Sequence, residues 1–274
     1  MNSANTQKFA GDIRKKALEM VYRGKSSHLG GAFSMADILA VLYNDILNID
    51  PRNPKDPSRD RFVLSKGHAC SGLYAALGLK GFFPVEELAT YAQNGSRLLS
   101  HSSHHIPGVE ISAGSLGHGL PIATGLAIAA KAKGASWTTY CLVSDGELNE
   151  GSNWEALALA PQLLLDNLIV IVDYNKIQSL GFVKDVIELE PLKSKFEAFR
   201  WRVSEIDGHH YTEIYDALKA CEKRDGIPTV IIAHTLKGKG VDFMENKLLW
   251  HYKTPSEEEY NNALKEIEVT ISKT

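Results

Sequence analysis

The chain has 274 residues, a formal net charge of −3 and 23% charged residues, so it is long enough for one large α/β domain and shows no electrostatic footprint for nucleic acid. No apolar run approaches the roughly 20 residues that a membrane span needs, and no secretory segment follows Met1. We therefore expect a cytoplasmic protein that binds neither nucleic acid nor membrane. The cysteines Cys70, Cys141 and Cys221 are widely spaced, which indicates buried thiols in a reducing compartment rather than disulfides or a zinc ribbon.

Helical patterns and short apolar runs alternate along the chain. Apolar residues that recur on one face indicate helices, and continuous short apolar runs indicate buried strands. In chain order we predict helices at about 6–23, 34–46, two between 66 and 94 (the second from near Pro84), 120–133, 151–161, 192–199, 211–221 and from 254, and strands at 61–65, 139–143, 168–172, 201–206 and 228–234. This alternation predicts a three-layer α/β domain with a mostly parallel sheet between helices.

Capping signals predict where two of these helices begin. Ser34 and Asp37 have the spacing of a capping box, and so do Thr254 and Glu257, with Pro255 between them. We place one domain at residues 1–253 and interpret 254–274 as a helical tail.

The region between Asn94 and Gly119 has no periodicity and is rich in Gly, Ser and His. A loop of about 25 residues inside a compact domain is usually functional or disordered. Its spaced apolar residues favour an ordered binding loop.

Polar loops follow two neighbouring predicted strands. One begins Ser144-Asp145-Gly146, and the other contains Asn175 and Ile177. Asp145 and Asn175 are separated by about one helix plus one strand, so a single crossover returns both to the same sheet edge. Their oxygens suit Mg²⁺ or Ca²⁺, and a glycine lets a phosphate approach the backbone.

The alternative for Asp145 is an ordinary turn residue after a strand. Two other phosphate- or metal-binding interpretations are excluded, because the loop lacks the ligand spacing of an EF-hand and the G-x-x-x-x-G-K-[ST] pattern of a Walker loop.

Histidines occur in several loops that follow predicted elements. A single histidine is more often structural than catalytic, but His28, His68, His101 and His251 all lie in such loops and could meet over one sheet edge. The group His101, His104 and His105 would suggest zinc only with a cysteine or acidic partner, which is missing nearby. His209 and His210 precede a helix and are interpreted as structural.

The segment 235–240 contains Lys237 and Lys239, each followed by a glycine. We expect a mobile basic loop, whose lysines are either solvated charges or attract a phosphorylated substrate.

Several motifs occur in a fixed order over roughly residues 8–253. They are Ser26-Ser27-His28, Leu64-Ser65-Lys66-Gly67-His68-Ala69, Pro107-Gly108-Val109-Glu110 with Gly114-Ser115-Leu116-Gly117-His118-Gly119, Asp145-Gly146-Glu147 with Glu150-Gly151, the later Asn175, and Lys237-Gly238-Lys239-Gly240 before Trp250-His251. In this combination the chain resembles the amino-terminal, diphosphate-binding domain of the transketolase family, whose thiamine diphosphate motif is GDG followed by a later N.

The resemblance implies a role for each matching residue. Asp145 and Asn175 would bind the divalent ion (Mg²⁺, or Ca²⁺ or Mn²⁺) by side chain and Ile177 by its carbonyl. The cofactor thiamine diphosphate would be bound by His68, His251, Asn175 and the Gly146 amide at its diphosphate and by Gly114 and Leu116 at its aminopyrimidine, with Glu150 and Glu155 linking paired sites at the subunit contact. The catalytic residues would be His28, His68, His101 and His251, of which His28 and His101 would address the ketose donor. For Glu150 and Glu155 the alternative is complementation of a helix dipole.

The implied activity is transfer of a two-carbon ketol unit from a ketose phosphate to an aldose phosphate, as in the pentose phosphate pathway. In the family, the glutamate that activates the aminopyrimidine and the arginines that bind substrate phosphate belong to a following pyrimidine-binding domain. Because this chain ends before such a domain, we predict the amino-terminal subunit of a split transketolase. It would be active only with a separate carboxy-terminal subunit, as a dimer of heterodimers.

Three positions depart from the family pattern. Ser144 replaces the first glycine, Leu29 follows His28 where proline is usual, and Tyr252 follows His251 where glycine is common. Tyr252 would reshape the substrate mouth and change the donor. Three alternatives remain. They are a related two-carbon transferase for another sugar, a deoxyxylulose-phosphate synthase-like chain, and a non-catalytic regulatory subunit that binds thiamine diphosphate.

Overall fold

A parallel sheet forms the centre of the molecule. The computed structural model describes residues 3–272. Within that range the strands are β1 (Arg61–Leu64), β2 (Thr139–Ser144), β3 (Leu168–Tyr174), β4 (Arg202–Asp207) and β5 (Thr229–His234). Their order is β1-β2-β3-β5-β4, and each neighbouring pair is parallel. The predicted three-layer α/β fold is confirmed.

Helices cover both faces of this sheet. They are α1 (Ser3–Gly24), α2 (Leu29–Ser34), α3 (Ala36–Val41), α4 (Cys70–Lys80), α5 (Gly119–Lys133), α6 (Gly151–Gln162), α7 (Val183–Val186), α8 (Leu192–Ala198), α9 (Tyr211–Ala220) and α10 (Glu257–Ser272). Helices α1 to α4, α9 and α10 contribute to the core on one face, and α5, α6 and α8 to the core on the other.

The alternation of side chains along each strand divides the core in two. Tyr140 and Leu142 of β2 lie in the core with α1 to α4, whereas Cys141 and Val143 lie in the core with α5 and α6. Successive residues of a strand point to opposite faces. Because both faces are covered, the central strands are apolar over most of their length, and this explains why the sequence shows continuous apolar runs there rather than an alternation of apolar and polar residues.

The helix predicted over 34–46 is instead formed by α3 and a π-helical turn, Leu42–Ile46, and Ser34 is the last residue of the preceding α2. The Ser34 hydroxyl donates to Asp173 Oδ2 at 2.5 Å and does not cap, and Asp37 pairs with Arg14. The capping-box prediction was wrong because both side chains make buried contacts with distant residues. Likewise, the helix predicted near Pro84 is a short 3₁₀ segment, Val85–Thr90.

The last helix begins later than predicted and packs on α1. Its capping box is Ser256 with Glu259, since Ser256 N donates to Glu259 Oε2 at 2.8 Å and Glu259 N to Ser256 Oγ at 3.2 Å. Thr254, the predicted cap, instead donates its hydroxyl to the carbonyl of Ser26. Tyr260 stacks on Tyr22 with ring centroids 4.3 Å apart, so α10 contributes to the core of the domain.

The long loop before α5 is irregular but anchored. Ile106 and Val109 are buried in the core, and a single bridge joins Ser102 to Ala113. Buried apolar side chains of this kind keep a loop without regular structure in a defined position.

The three cysteines are buried thiols and form no disulfides. Cys70, Cys141 and Cys221 are free and buried, as predicted. Burial raises the pKa of Cys70 to about 12 and that of Cys221 to about 11, so these thiols are inert. None of the helices within residues 3–272 is long and apolar enough to cross a membrane.

The packing of α10 makes a prediction about stability. Ile267 is 2% exposed and Val269 is 51% exposed on the same helix. Ile267→Ala should lower the free energy of unfolding by about 2–5 kcal/mol, because it leaves a cavity against α1. Val269→Ala is the matched control and should change it by less than about 0.5 kcal/mol. Urea unfolding measures both. If Ile267→Ala changed the free energy of unfolding as little as Val269→Ala does, α10 would not be part of the core.

Candidate functional site

The carboxyl ends of β1, β3 and β5 meet at one buried carboxylate, Asp173. This side chain is fully buried. It accepts hydrogen bonds from Ser34 Oγ at 2.5 Å, Asn175 Nδ2 at 3.3 Å, Lys66 Nζ and Thr235 Oγ1. These donors come from α2 and from the segments that follow β3, β1 and β5. One carboxylate therefore fixes four parts of the sheet edge.

Lys66 is the charge that balances Asp173. It is almost completely buried, and its ammonium group also donates to the carbonyl of Gly31 at 2.9 Å. Burial opposes ionisation of Asp173, but the Lys66 charge and the hydroxyl donors lower the pKa of Asp173 below its usual value. Asp173 is thus ionised at neutral pH.

A second buried carboxylate, Glu147, joins three loops. Its Oε1 accepts from Ser65 Oγ at 2.5 Å and from Gly117 N at 2.9 Å, and its Oε2 accepts from Ser144 N at 3.3 Å. Burial raises the pKa of Glu147, although these donors oppose the shift. Gly119 packs so closely that a Cβ there would lie 2.2 Å from Ser65 Oγ, so the glycine-rich loop can approach β1 only without a side chain.

The predicted metal ligands lie together beside this network. Asp145 is buried; its Oδ1 accepts from Gly146 N at 2.7 Å and its Oδ2 from Lys176 N at 2.6 Å. Asn175 Oδ1 accepts from Ile177 N at 3.1 Å. A carboxylate, an amide oxygen and a backbone carbonyl form a hard donor set of the type that holds Mg²⁺, Ca²⁺ or Mn²⁺.

The charge on Asp145 is only partly balanced. Burial and the neighbouring Asp173 raise the pKa of Asp145 to about 6, although two backbone N–H groups bind its carboxylate. A cation at this position would stabilise the ionised form. The donor set therefore fits a divalent ion.

Lys237 lies inside the site, so the interpretation of its charge as solvated was wrong. It is buried, and its Nζ donates to Ile177 O and to His251 Nδ1, both at 3.0 Å. Burial lowers the pKa of Lys237 to about 8, although Asp145 opposes the shift. The segment that we expected to be mobile is tied down, since Gly238 N donates to Gly30 O at 3.0 Å.

The structure brings the four loop histidines together. The ring of His28 lies 5.0 Å from that of His68, 5.9 Å from His101 and 5.2 Å from His251, measured between centroids. His28 adopts a left-handed backbone, φ 70°, and its N–H donates to His251 O at 2.9 Å. This conformation costs about 1–2 kcal/mol in a residue with a side chain and is common at functional sites.

Three of these rings are neutral at pH 7. Burial lowers the pKa of His28 to about 4, with His101 and Lys237 adding to the shift. It also lowers the pKa of His251 to about 3 and that of His68 well below its usual value. A neutral imidazole can donate at one nitrogen and accept at the other. The cluster can therefore bind polar groups and exchange protons with them.

A cavity of about 160 Å³ lies between the Asp145 loop and two of the clustered histidines, His68 and His251, whereas His28 and His101 do not line it. Its lining includes Gly31, Lys66, His68, Leu116, Asp145, Gly146, Asn175, Ile177, Gln178, Lys237, His251 and Tyr252. The Nε2 atom of Gln178 is buried without a hydrogen-bond partner. An unpaired N–H donor next to lysines and neutral histidines suits an anionic ligand.

The remaining predicted residues lie at different distances from this cavity. Leu116 lines it, and a Cβ on Gly114 would lie 3.5 Å from the His101 ring. Glu150, which directly precedes α6, and Glu155 on α6 are exposed and do not line the cavity. His209 bonds Asp37, and His210 caps α9, in agreement with their interpretation as structural.

A larger cavity of about 940 Å³ lies on the other side of Asn175 and Ile177, which line both spaces. It lacks Asp145 and the four clustered histidines. We place the site in the smaller cavity because the buried charged groups and the unpaired donor are there.

The histidines His101, His104 and His105 do not form a zinc site. Across residues 3–272, no group of three or more His, Cys, Asp or Glu is arranged to hold a metal ion. His104 instead hydrogen bonds Ser112 Oγ at 2.8 Å. The oxygens of Asp145, Asn175 and Ile177 do not count as such a group, because only one of them belongs to a carboxylate; the other two are an amide oxygen and a backbone carbonyl.

A comparison with known families now identifies the domain. The model of the transketolase thiamine diphosphate-binding domain matches residues 5–269. The chain belongs to the transketolase family. The resemblance seen in the sequence is confirmed, and the match extends through most of α10.

Curated relatives fall into two length classes. The chain is 40% identical over 260 residues to an apulose-4-phosphate transketolase subunit of Phocaeicola vulgatus, covering 95% of this chain and 92% of that one. It is 43% identical over 257 residues to a 6-deoxy-6-sulfo-D-fructose transketolase subunit of Clostridium sp., covering 93% and 94%. To human transketolase it is 36% identical over 245 residues, covering 89% of this chain and 39% of the human protein.

A solved structure agrees with the fold. Transketolase from Campylobacter jejuni superposes with a TM-score of 0.93 at 36% identity, covering 98% of this chain and 43% of that chain. The chain thus spans less than half the length of these long transketolases.

The sequence analysis missed the roles of Lys66, Glu147 and Asp173. One signal was present for Asp173, since it continues the apolar run of β3. A charged residue in a strand that is buried on both faces needs a buried partner. Lys66 and Glu147 stood within recognised motifs but carried no assigned role.

The Lys66–Asp173 pair predicts a loss of stability. Lys66→Met should lower the free energy of unfolding at pH 7 by about 3–5 kcal/mol, because it leaves Asp173 buried without its counter-charge. Exposed Lys133→Met is the matched control and should change it by less than about 0.5 kcal/mol. Urea unfolding measures both.

The pH dependence gives a further check on this pair. The folded chain lowers the pKa of Asp173, so its stabilising contribution is present above the ordinary carboxyl pKa of about 4 and is lost as the pH falls. The difference between wild type and Lys66→Met should therefore shrink below about pH 4. A difference that grows on acidification would contradict the pairing.

Proposed function

We propose that the chain binds thiamine diphosphate with a divalent cation and, together with a separate carboxy-terminal subunit, transfers a two-carbon ketol unit from a ketose to an aldose. The observation that carries this proposal is the buried oxygen set of Asp145, Asn175 and Ile177 next to the histidine cluster, in a chain of the transketolase family.

The cation would be held by the side chains of Asp145 and Asn175 and by the carbonyl of Ile177. Mg²⁺ is the first candidate, and Ca²⁺ or Mn²⁺ would suit the same oxygens. The partly balanced charge of Asp145 supports this assignment. Because Ile177 O accepts from Lys237, the ammonium group would share this carbonyl with the ion or turn to the diphosphate.

The diphosphate would be bound by His68, His251 and the amide of Gly146. In the free chain the Gly146 N–H donates to Asp145, so a diphosphate there would share or replace that hydrogen bond. Neutral histidines provide donors that do not repel the cation, and the Lys237 ammonium group adds a positive charge that attracts the diphosphate. Gly114 and Leu116 would lie against the aminopyrimidine.

When bound, thiamine diphosphate supplies the nucleophilic carbon and the electron sink for ketol transfer. The chain would supply orientation and proton transfer. His28, with a pKa of about 4, is neutral at pH 7 and can accept a proton from a donor hydroxyl or donate to its carbonyl. His101 is exposed beside it and would contact the same sugar.

A second subunit is supported by the relatives and by the surface. Relatives of similar length are named as subunits, and the long transketolases continue beyond the part matched here. Large apolar side chains are exposed near the site, namely Leu180, Leu249 and Tyr252. Such exposure marks an interaction surface. Glu150 and Glu155 would lie at the contact between paired sites in a dimer of heterodimers.

The donor is proposed to be a ketose with an anionic group at its far end. Tyr252 is 62% exposed, and its ring lies 5.7 Å from that of His28 and 4.6 Å from that of His251. A phenol ring at this mouth supports the alternative of an unusual sugar, as do relatives named for apulose 4-phosphate and sulfofructose. The donors to be compared are therefore xylulose 5-phosphate, apulose 4-phosphate and 6-deoxy-6-sulfofructose.

Reconstitution tests the proposed function. The chain alone should bind thiamine diphosphate weakly and transfer nothing, because the groups that activate the aminopyrimidine would belong to the partner. Mixing it with a carboxy-terminal transketolase subunit from the same source should produce ketol transfer to ribose 5-phosphate from at least one of the three donors, measured by product chromatography. Robust transfer by the isolated chain would contradict the two-subunit proposal.

The same assay tests the donor. Tyr252→Gly should change the ratio of kcat/KM between two donors by about tenfold, because the exposed ring lies at the mouth of the site beside His28 and His251. Leu249→Ala, which alters an exposed apolar neighbour in the same proposed subunit contact, is the matched control for weakened assembly and should leave this ratio unchanged. An unchanged ratio would remove Tyr252 from donor selection. Cofactor binding without transfer from any donor would favour the regulatory alternative.

A further inference from the structure

A buried polar network away from the cavity reaches the site through one backbone amide. Its centre is Asp37, in the first turn of α3. Asp37 Oδ1 accepts from Arg14 Nη1 at 3.0 Å and Tyr211 Oη at 2.6 Å, and Oδ2 accepts from Arg14 Nη2 at 2.5 Å and lies 2.7 Å from His209 Nδ1. Helices α1, α3 and α9 are thus joined by one carboxylate.

His209 connects this carboxylate to the chain beyond β5. Its Nε2 atom accepts the backbone N–H of Leu236 at 2.8 Å. Since a backbone N–H can only donate, Nε2 carries no proton, and the ring proton resides on Nδ1 and is donated to Asp37. The two partners together require the neutral ring in a single tautomer.

Leu236 directly precedes the lysine of the site. We call residues 235–240 the Lys237 loop. Thr235 Oγ1 donates to Asp173, and Gly238 N donates to Gly30 O at 3.0 Å. Between these two contacts, the Leu236 amide is bound by His209, which belongs to the Asp37 network and does not line the smaller cavity. The Lys237 side chain leaves the loop at this place to reach Ile177 O and His251 Nδ1.

We propose that His209, oriented by Asp37, is a positioning residue that fixes the Lys237 loop and thereby places the Lys237 ammonium group at the carbonyl of Ile177. His209 contacts none of the proposed ligands and acts through the Leu236 amide. The effect on loop order does not depend on the proposed function; the effect on cofactor affinity rests on it.

Three variants of the full chain separate this role from general stability. His209→Gln retains a donor and an acceptor, so it can bind Asp37 and Leu236 together. His209→Leu retains neither. Tyr211→Phe removes a different hydrogen bond of Asp37 and leaves Leu236 untouched, so it is the matched control for loss of stability.

The first readout is amide hydrogen exchange of Leu236, measured by NMR. His209→Leu should accelerate exchange at this amide at least about tenfold, because its acceptor is gone, whereas His209→Gln and Tyr211→Phe should stay close to wild type. The second readout is the affinity for thiamine diphosphate with Mg²⁺. It should fall about tenfold in His209→Leu, recover in His209→Gln and remain unchanged in Tyr211→Phe.

The outcomes are distinguishable. Unchanged Leu236 exchange in His209→Leu would overturn the proposal, and so would equal losses in His209→Leu and Tyr211→Phe, which would indicate stability alone. If exchange responds as expected but the wild-type chain binds no thiamine diphosphate, the positioning of the loop is supported and the proposed function fails.

Discussion

The buried ion pair between Asp173 and Lys66 joins the segments at the carboxyl edge of the sheet, where the candidate site lies. Taking two charges out of water costs several kcal/mol, and their attraction repays this only when the remaining hydrogen-bonding positions are filled. Here they are filled by Ser34, Thr235, Asn175 and the carbonyl of Gly31. The pair therefore fixes the segments after β1, β3 and β5 relative to α2, and the other side chains of the site depend on that arrangement.

Buried polar groups in this edge fall into two kinds. Asp173 and Glu147 have their acceptors filled by the chain itself and serve to hold loops. Asp145, Lys237 and Gln178 keep unbalanced charge or an unpaired donor and face the cavity. A site with this division is preorganised, since its framework is complete before a ligand arrives and only the ligand-facing groups gain partners on binding.

Much of the framework was predictable from the sequence, and the limits have physical causes. Uninterrupted apolar runs predicted the strands, and loops after strands predicted that Asp145 and Asn175 would lie together. Ser34 was misassigned because its local spacing satisfied a capping box, while its hydroxyl is used by Asp173 in β3. The role of Lys237 stayed open because a lysine in a loop that contains glycines is usually solvated, and only the fold reveals that Lys237 contacts Ile177 and His251. Local patterns predict elements well, but long-range partners of charged residues are set by topology.

The central claim is that Asp145 holds a cation through which the chain binds thiamine diphosphate. The most direct test is calorimetric titration of the isolated chain with thiamine diphosphate, carried out once in the presence of Mg²⁺ and once after EDTA has removed the metal. The account predicts weak binding that requires Mg²⁺, is lost in Asp145→Ala and is kept in Asp185→Ala, which removes an exposed carboxylate from the segment after β3. Binding that survives both chelation and Asp145→Ala would contradict it.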